Sequence, residues 1–380
     1  MLKLKNTPEQ VELIRALGSK DVTVSTEAAE AFAAFLGPVI QKVIAQASTA
    51  GMIFSDSEFD EDDSPSYPLD LYYNEGEGYI TTWSQSMAGG MPTSQGEGEK
   101  EMKISTYRLD SAISWMKKYA RKSRLDIVSK ALERMAQEVL VKQERNAWAV
   151  ILRALAEANT SGLGTPLAGA HVLNSDSGFD SGKTFNVADM SRMLTLMRRM
   201  NASWVGGTPT LDTYGLTDLF VSPEVKEDIR GFAYNAVNDV GTTSVALPDN
   251  LREGIFRSAG MSELWGVRIH DLLELGQGRK YNKLFETLAS GKNVIGGSNA
   301  FVDKTTNSST HHELIIGVDG SRGAFIRPVA RQHDSGGNFV VLPDDQFNVR
   351  ADKVGFYGFL EEGRVCIDAR AIVGLTLIGS

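Results

Sequence analysis

The sequence predicts an α+β chain organised around one long helix, and three observations carry that expectation. Apolar residues at helical spacing run through residues 126–158. A glycine-rich segment flanked by strand formers occupies residues 64–118. The last forty residues read almost entirely as strands. The chain has 380 residues, about two and a half times a usual ~150-residue domain. Hydrophobic residues make up 42% and charged residues 23%, enough to bury a core and too apolar for a wholly disordered chain.

The first sixty residues read as an arm rather than a domain. Thr26 is placed to cap a helix, with Glu27 and Glu30 near its positive end. Residues 28–50 read helical, with an interruption at Gly37-Pro38, where proline removes a backbone donor. The acidic run Glu58, Asp60, Glu61, Asp62 and Asp63 reads as a solvated linker, because no ligand pattern or glycine turn accompanies it.

Residues 79–83 and 102–107 are rich in strand formers, and the second run alternates in period two. Between them lie Gly89-Gly90, Pro92, Gly96 and Gly98, so the segment reads as a long β-hairpin with a flexible tip. Irregular loops beyond about 12–15 residues are uncommon inside a compact domain. Tyr67, Tyr72, Tyr73, Tyr79 and Trp83 argue against simple disorder. Two strands alone are marginal in water, so the hairpin must lie on its own domain or on another chain.

Asp126 is placed to cap the long helix. Val128, Leu132, Met135 and Val139 form its buried stripe, continued by Trp148, Leu152 and Leu155. The stripe drifts after Val139, which argues against a coiled coil and for a helix lying on a sheet. A shorter helix opens at Asn186, with Asp189 in the capping-box position and Met190, Met193, Leu194, Met197 and Met200 facing inward. Residues 216–221 read as a strand, Ser222-Pro223 as a helix start, and Val225, Ile229 and Phe232 as that helix's buried face. Residues 235–313 read as short strands alternating with turns. Strands at 314–317 and 324–327 are joined by a turn at Asp319-Gly320, and further strands follow at 339–342, 354–360, 364–368 and 371–378.

The chemistry-bearing residues form near misses. His312-Glu313 begins like a zinc-protease helix, but Ile316 stands where the second imidazole must be. His311 and His312 read as an exposed turn. Residues 296–300 lack the last glycine of a nucleophile elbow, and no phosphate-cradling glycine loop is present. His171, His270, His311, His312 and His333 show no spacing that ties them to a carboxylate or serine. The reading is therefore no catalytic residue, no metal and no cofactor.

Cys366, the only cysteine, reads as a small buried residue in a strand of a protein made in a reducing cytoplasm. The longest apolar run, residues 147–152, is far short of the ~20 residues of a membrane span, and the N-terminus has no apolar signal region. A net charge of −9 disfavours a protein whose main task is gripping nucleic acid phosphates. The one local reversal, residues 117–124, contains Lys117, Lys118 and Arg121. It reads as a solvated or inter-subunit face able to pair with the acidic run on a neighbouring copy.

The order of these segments, together with residues 185–234 and the run from Val354 to Gly374, resembles the major capsid protein of tailed bacteriophages, the Hong Kong 97-type fold. The resemblance implies an N-terminal arm (1–63), an extended loop, the E-loop, with flanking strands (64–118), and a spine helix with a peripheral domain (119–215). An axial domain (216–342) and C-terminal strands returning to the peripheral domain (343–380) complete it. It implies hexamers and pentamers closing into an icosahedral shell around double-stranded DNA, held without sequence-specific contacts. The protein would be made in the host bacterial cytoplasm and reside in the virion. Tyr79, Trp83, Met91 and Lys100 of the loop, with Asp60, Asp62, Lys117, Lys118 and Arg121, would lie at subunit interfaces.

The implied partners are further copies of the chain, a separate scaffolding protein, a portal and a decoration protein, with no membrane. Lys100, Asn348 and Glu361 carry the side chains of the covalent cross-link known in some relatives, but no motif ties them together. Two other readings stand beside this one: a nanocompartment shell of the encapsulin type, and a soluble α/β enzyme whose hairpin is a lid.

Overall fold

The computed structural model describes residues 7–60, 64–68, 101–122, 125–158, 171–175, 183–201, 215–232, 238–240, 243–245, 253, 263–292, 294–295, 301–303, 311–331, 339–344 and 352–378. In chain order these form helices α1 (Pro8–Leu17) and α2 (Val22–Ala47), then strands β1 (Ser55–Asp60), β2 (Ser66–Pro68), β3 (Glu101–Lys103) and β4 (Tyr107–Met116). Helices α3 (Lys117–Arg121) and α4 (Leu125–Glu157) follow, then β5 (Val172–Asn174), α5 (Val187–Asn201), β6 (Asp218–Val221) and α6 (Pro223–Gly231). Next come β7 (Asn238–Val240), β8 (Thr243–Val245), β9 (Glu263–Leu264), β10 (Val267–Asp271) and α7 (Lys280–Ala289). The chain ends in β11 (His311–Val318), β12 (Phe325–Arg331), β13 (Val340–Asp344), β14 (Lys353–Glu362), β15 (Val365–Cys366) and β16 (Ile372–Ile378).

Two compact units share these elements. Unit one is Met1–Tyr67, Met102–Ala147 and Phe325–Val365; unit two is Pro68–Glu101, Trp148–Ala324 and Cys366–Ser380. This division departs from the expected domains. The expected boundaries at 215 and 342 are not where the units part, because α5 and β16 share one apolar core with β6 and α6. The C-terminal strands also part company, β14 going to unit one and β16 to unit two.

Unit one is built on a sheet in the order β1-β12-β14-β13, with β4 on the remaining edge of β14. Strands β4 and β14 pair antiparallel along all ten residues of each, from Tyr107 opposite Glu362 to Met116 opposite Lys353. The period-two pattern of β4 explains its fit: Leu109, Ile113 and Trp115 join the core, while Arg108, Asp110 and Met116 are exposed. Sequence reading ended the strand at Tyr107, where the long one begins; the earlier piece is only β3, with a break at 104–106.

The residues expected to form an arm instead supply much of this core. Ile14, Leu17, Phe32, Leu36 and Ile40 are buried with Val128, Leu132, Met135 and Val139 of α4 and with Phe356 and Leu360 of β14. The Phe356 ring lies 5.4 Å from Phe32 and 5.4 Å from Trp115. Each such side chain contributes roughly 1.5–3 kcal/mol on burial, which fixes two amphipathic helices that could not stand alone. The cap of α2 is Asp21, accepting from the Thr23 amide at 3.2 Å. Thr26, expected to be that cap, lies inside the helix with its hydroxyl on the Val22 carbonyl. The helix continues through Gly37-Pro38, because burial of Leu36 and Ile40 outweighs one lost backbone bond.

Unit two holds a sheet in the order β5-β16-β11-β6-β10-β9. Strands β6 and β10 run parallel, and β11 is antiparallel to both of its neighbours. Met190, Met193 and Met197 of α5 are fully buried against Leu219, Ile315, Val373 and Leu375. Gly317 permits this approach: a Cβ there would lie 2.5 Å from Leu216 Cδ1 and 2.9 Å from Val373 Cγ1. The caps form as the sequence implies at Ser222, whose hydroxyl accepts from the Val225 amide at 3.1 Å. At α5 the Asn186 side chain accepts from the Asp189 amide at 2.8 Å, while the Asp189 carboxylate takes the Ser175 hydroxyl at 2.8 Å.

Three further expectations are corrected. The turn at Asp319-Gly320 does not pair its flanking strands: β11 stays in the unit-two sheet and β12 enters that of unit one. Residues 280–289 are a helix, α7, where short strands were expected. His311 and His312 lie in β11 rather than in an exposed turn. The long helix is as expected in length, 33 residues or about 50 Å, but it starts at Leu125, so Asp126 lies within it rather than before it.

Candidate functional site

Among the described residues the most heavily built polar region lies beside β2 and β3, the strands on either side of residues 69–100 in the sequence. Strands β2 and β3 pair as a two-stranded sheet at this root. Beside it, the Ile104 amide donates to the Pro65 carbonyl at 3.0 Å, and the Gly363 amide to that of Pro328 at 2.8 Å. Thr106 donates to Glu361 at 2.6 Å, and the Tyr107 hydroxyl to Glu362 at 2.8 Å. Glu362 is fully buried and also accepts from Arg327 Nε at 2.7 Å, Gln143 Nε2 at 3.1 Å and Arg364 Nε at 3.3 Å. Arg327 reaches Asp56 of β1 as well, so one carboxylate ties β4, α4, β12 and β14 together. Burial, and then the charge of Glu362, push the Tyr107 hydroxyl up to about 12, so it remains a proton donor. Sequence reasoning missed this clamp. Its only local signal is Glu361-Glu362-Gly363-Arg364 at a strand end.

The residues expected at an interface divide into three groups. Tyr79, Trp83, Met91, Lys100 and Asp62 lie outside the described residues, as do Asn348, His333 and residues 296–300. Asp60 is exposed at the end of β1, and Glu58 meets Arg331 at 3.5 Å, so these two acids ride on a paired strand rather than a linker. The basic segment is partly internal. Lys117 is buried at 5% exposure, and its amide donates to the Asp352 carbonyl. Arg121 donates to the Gly18 carbonyl at 2.7 Å and meets Asp352 at 3.2 Å. Gly18 is required here, since a Cβ would lie 2.7 Å from the Arg121 nitrogen. Lys118 and Arg121 are both exposed, Lys118 with its ammonium 5.3 Å from the Tyr119 ring.

Unit two carries pairings that spacing could not reveal. Parallel strands β6 and β10 bring His270 Nε2 to 2.9 Å from Asp218, which also meets Arg268 at 3.1 Å. The Ser222 hydroxyl, already an N-cap, is hydrogen-bonded to Glu313. Burial, reinforced by the charges of Glu224 and Asp228, raises the Glu313 carboxyl to about 7. Asp368 is held between Arg322 at 2.6 Å and Arg370 at 2.8 Å; burial alone would raise its carboxyl, but these partners hold it below the usual range. Burial, and then Asp368, push the Cys366 thiol up to about 12, which makes it an inert side chain. His171 is buried against the Ile372 carbonyl, and burial lowers its pKa. Among the described residues no three His, Cys, Asp or Glu side chains converge as a metal site, and no helix is long and apolar enough to cross a membrane.

No protein-family model and no curated protein matches the sequence. Among solved structures the chain is similar to the capsid of the cyanophage P-SCSP1u, at 12% identity and a TM-score of 0.47, over 86% of this chain and 87% of that one. It is similar to the capsid asymmetric unit of cyanophage Pam1, at 12% identity and a TM-score of 0.49, over 86% and 88%. It is similar also to the capsid of the empty GTA particle, at 13% identity and a TM-score of 0.47, over 87% and 90%.

Proposed function

We propose that this chain is the major capsid protein of a tailed bacteriophage, a structural subunit that assembles as hexamers and pentamers into an icosahedral shell around double-stranded DNA. The observation that carries the reading is the anchored root of residues 69–100. That segment, with its sequence of aromatics and glycines, is followed by a buried ionic clamp on the unit-one sheet, and the strands β2 and β3 that flank it pair with each other. Such a base suits an extension that bears load from outside its own fold. The order of segments supports the same reading. In it, residues 64–118 lie over an adjacent copy, with Tyr79, Trp83, Met91 and Lys100 making the contact. Exposed Lys118 and Arg121 are then the members of the basic segment left to meet the acidic run with Asp60 and Asp62. A scaffolding protein, a portal and a decoration protein are its further partners, and the virion is its location.

Electron microscopy of the recombinant full chain, alone and with a co-encoded scaffold, tests the proposal. Shells, tubes or hexamer rings are expected. A monodisperse dimer or tetramer at high concentration would overturn it, and shells that carry an enzyme cargo in place of DNA would assign a cellular nanocompartment.

A further inference from the structure

We draw no further inference here: the strongest candidate, the cluster of carboxylates formed by Glu313, Glu224 and Asp228 around the Ser222 cap at the start of α6, rests only on the raised pKa of Glu313, and nothing in the described residues shows what ligand or partner would answer it.

Discussion

Each unit buries a glutamate, and the two are treated in opposite ways. In unit one Glu362 is enclosed by Arg327, Arg364, Gln143 and Tyr107, so each oxygen of its carboxylate has donors. In unit two Glu313 has the Ser222 hydroxyl, and the charges that bear on it are the carboxylates of Glu224 and Asp228. The neighbours, and not the depth of burial, decide whether a buried acid acts as a clamp or as a proton-holding group.

Removing the charge of Glu362 gives the largest expected effect. Glu362→Gln leaves Arg364 buried without its counter-ion and Arg327 with only the exposed Asp56, and should cost unit one about 3–5 kcal/mol in urea unfolding. A loss below about 1 kcal/mol would mean that the clamp is ornamental. Glu313→Gln should act in the opposite direction. The Glu313 carboxyl sits at about 7, above its ordinary 4.5, so the folded chain keeps a proton that the unfolded chain releases. Its contribution therefore falls as pH rises from about 4.5 to about 7 and is level above that. At pH 8 the variant should be more stable than wild type by on the order of 2 kcal/mol, with the difference vanishing near pH 4. Parallel stability curves for the two proteins would contradict this. The smallest effect belongs to Ser222→Ala, which removes the α6 cap for about 1–2 kcal/mol, read by thermal melting.

The same contrast explains what could be read from sequence. Helix α4 was legible because Val128, Leu132, Met135 and Val139 repeat at the spacing of a buried face, and Ser222-Pro223 marked the start of α6 by local chemistry. The clamp was not, because Glu362 finds its partners 35 residues away in Arg327, 219 in Gln143 and 255 in Tyr107. Helix α7 was hidden by the glycines around it, Gly276, Gly278 and Gly291, although Tyr281 and Phe285 are one turn apart and buried. At Asp319-Gly320 local residues predicted that the chain turns. Which sheet each flanking strand joins is decided by long-range pairing, so the turn said nothing about it. Of the interface residues, Lys117 misled because charge alone does not reveal that α3 tucks its first residue inward.

Water cannot reach Glu362, and where water is excluded dissolved ions are excluded too. Strong brine will therefore weaken a surface pair such as Arg153 with Glu157, whose side chains are 69% and 49% exposed, and leave the buried pair of Arg364 with Glu362 as firm as before. Salt can thus separate two kinds of tie within one chain, dissolving those that face the solvent and sparing those sealed beneath it.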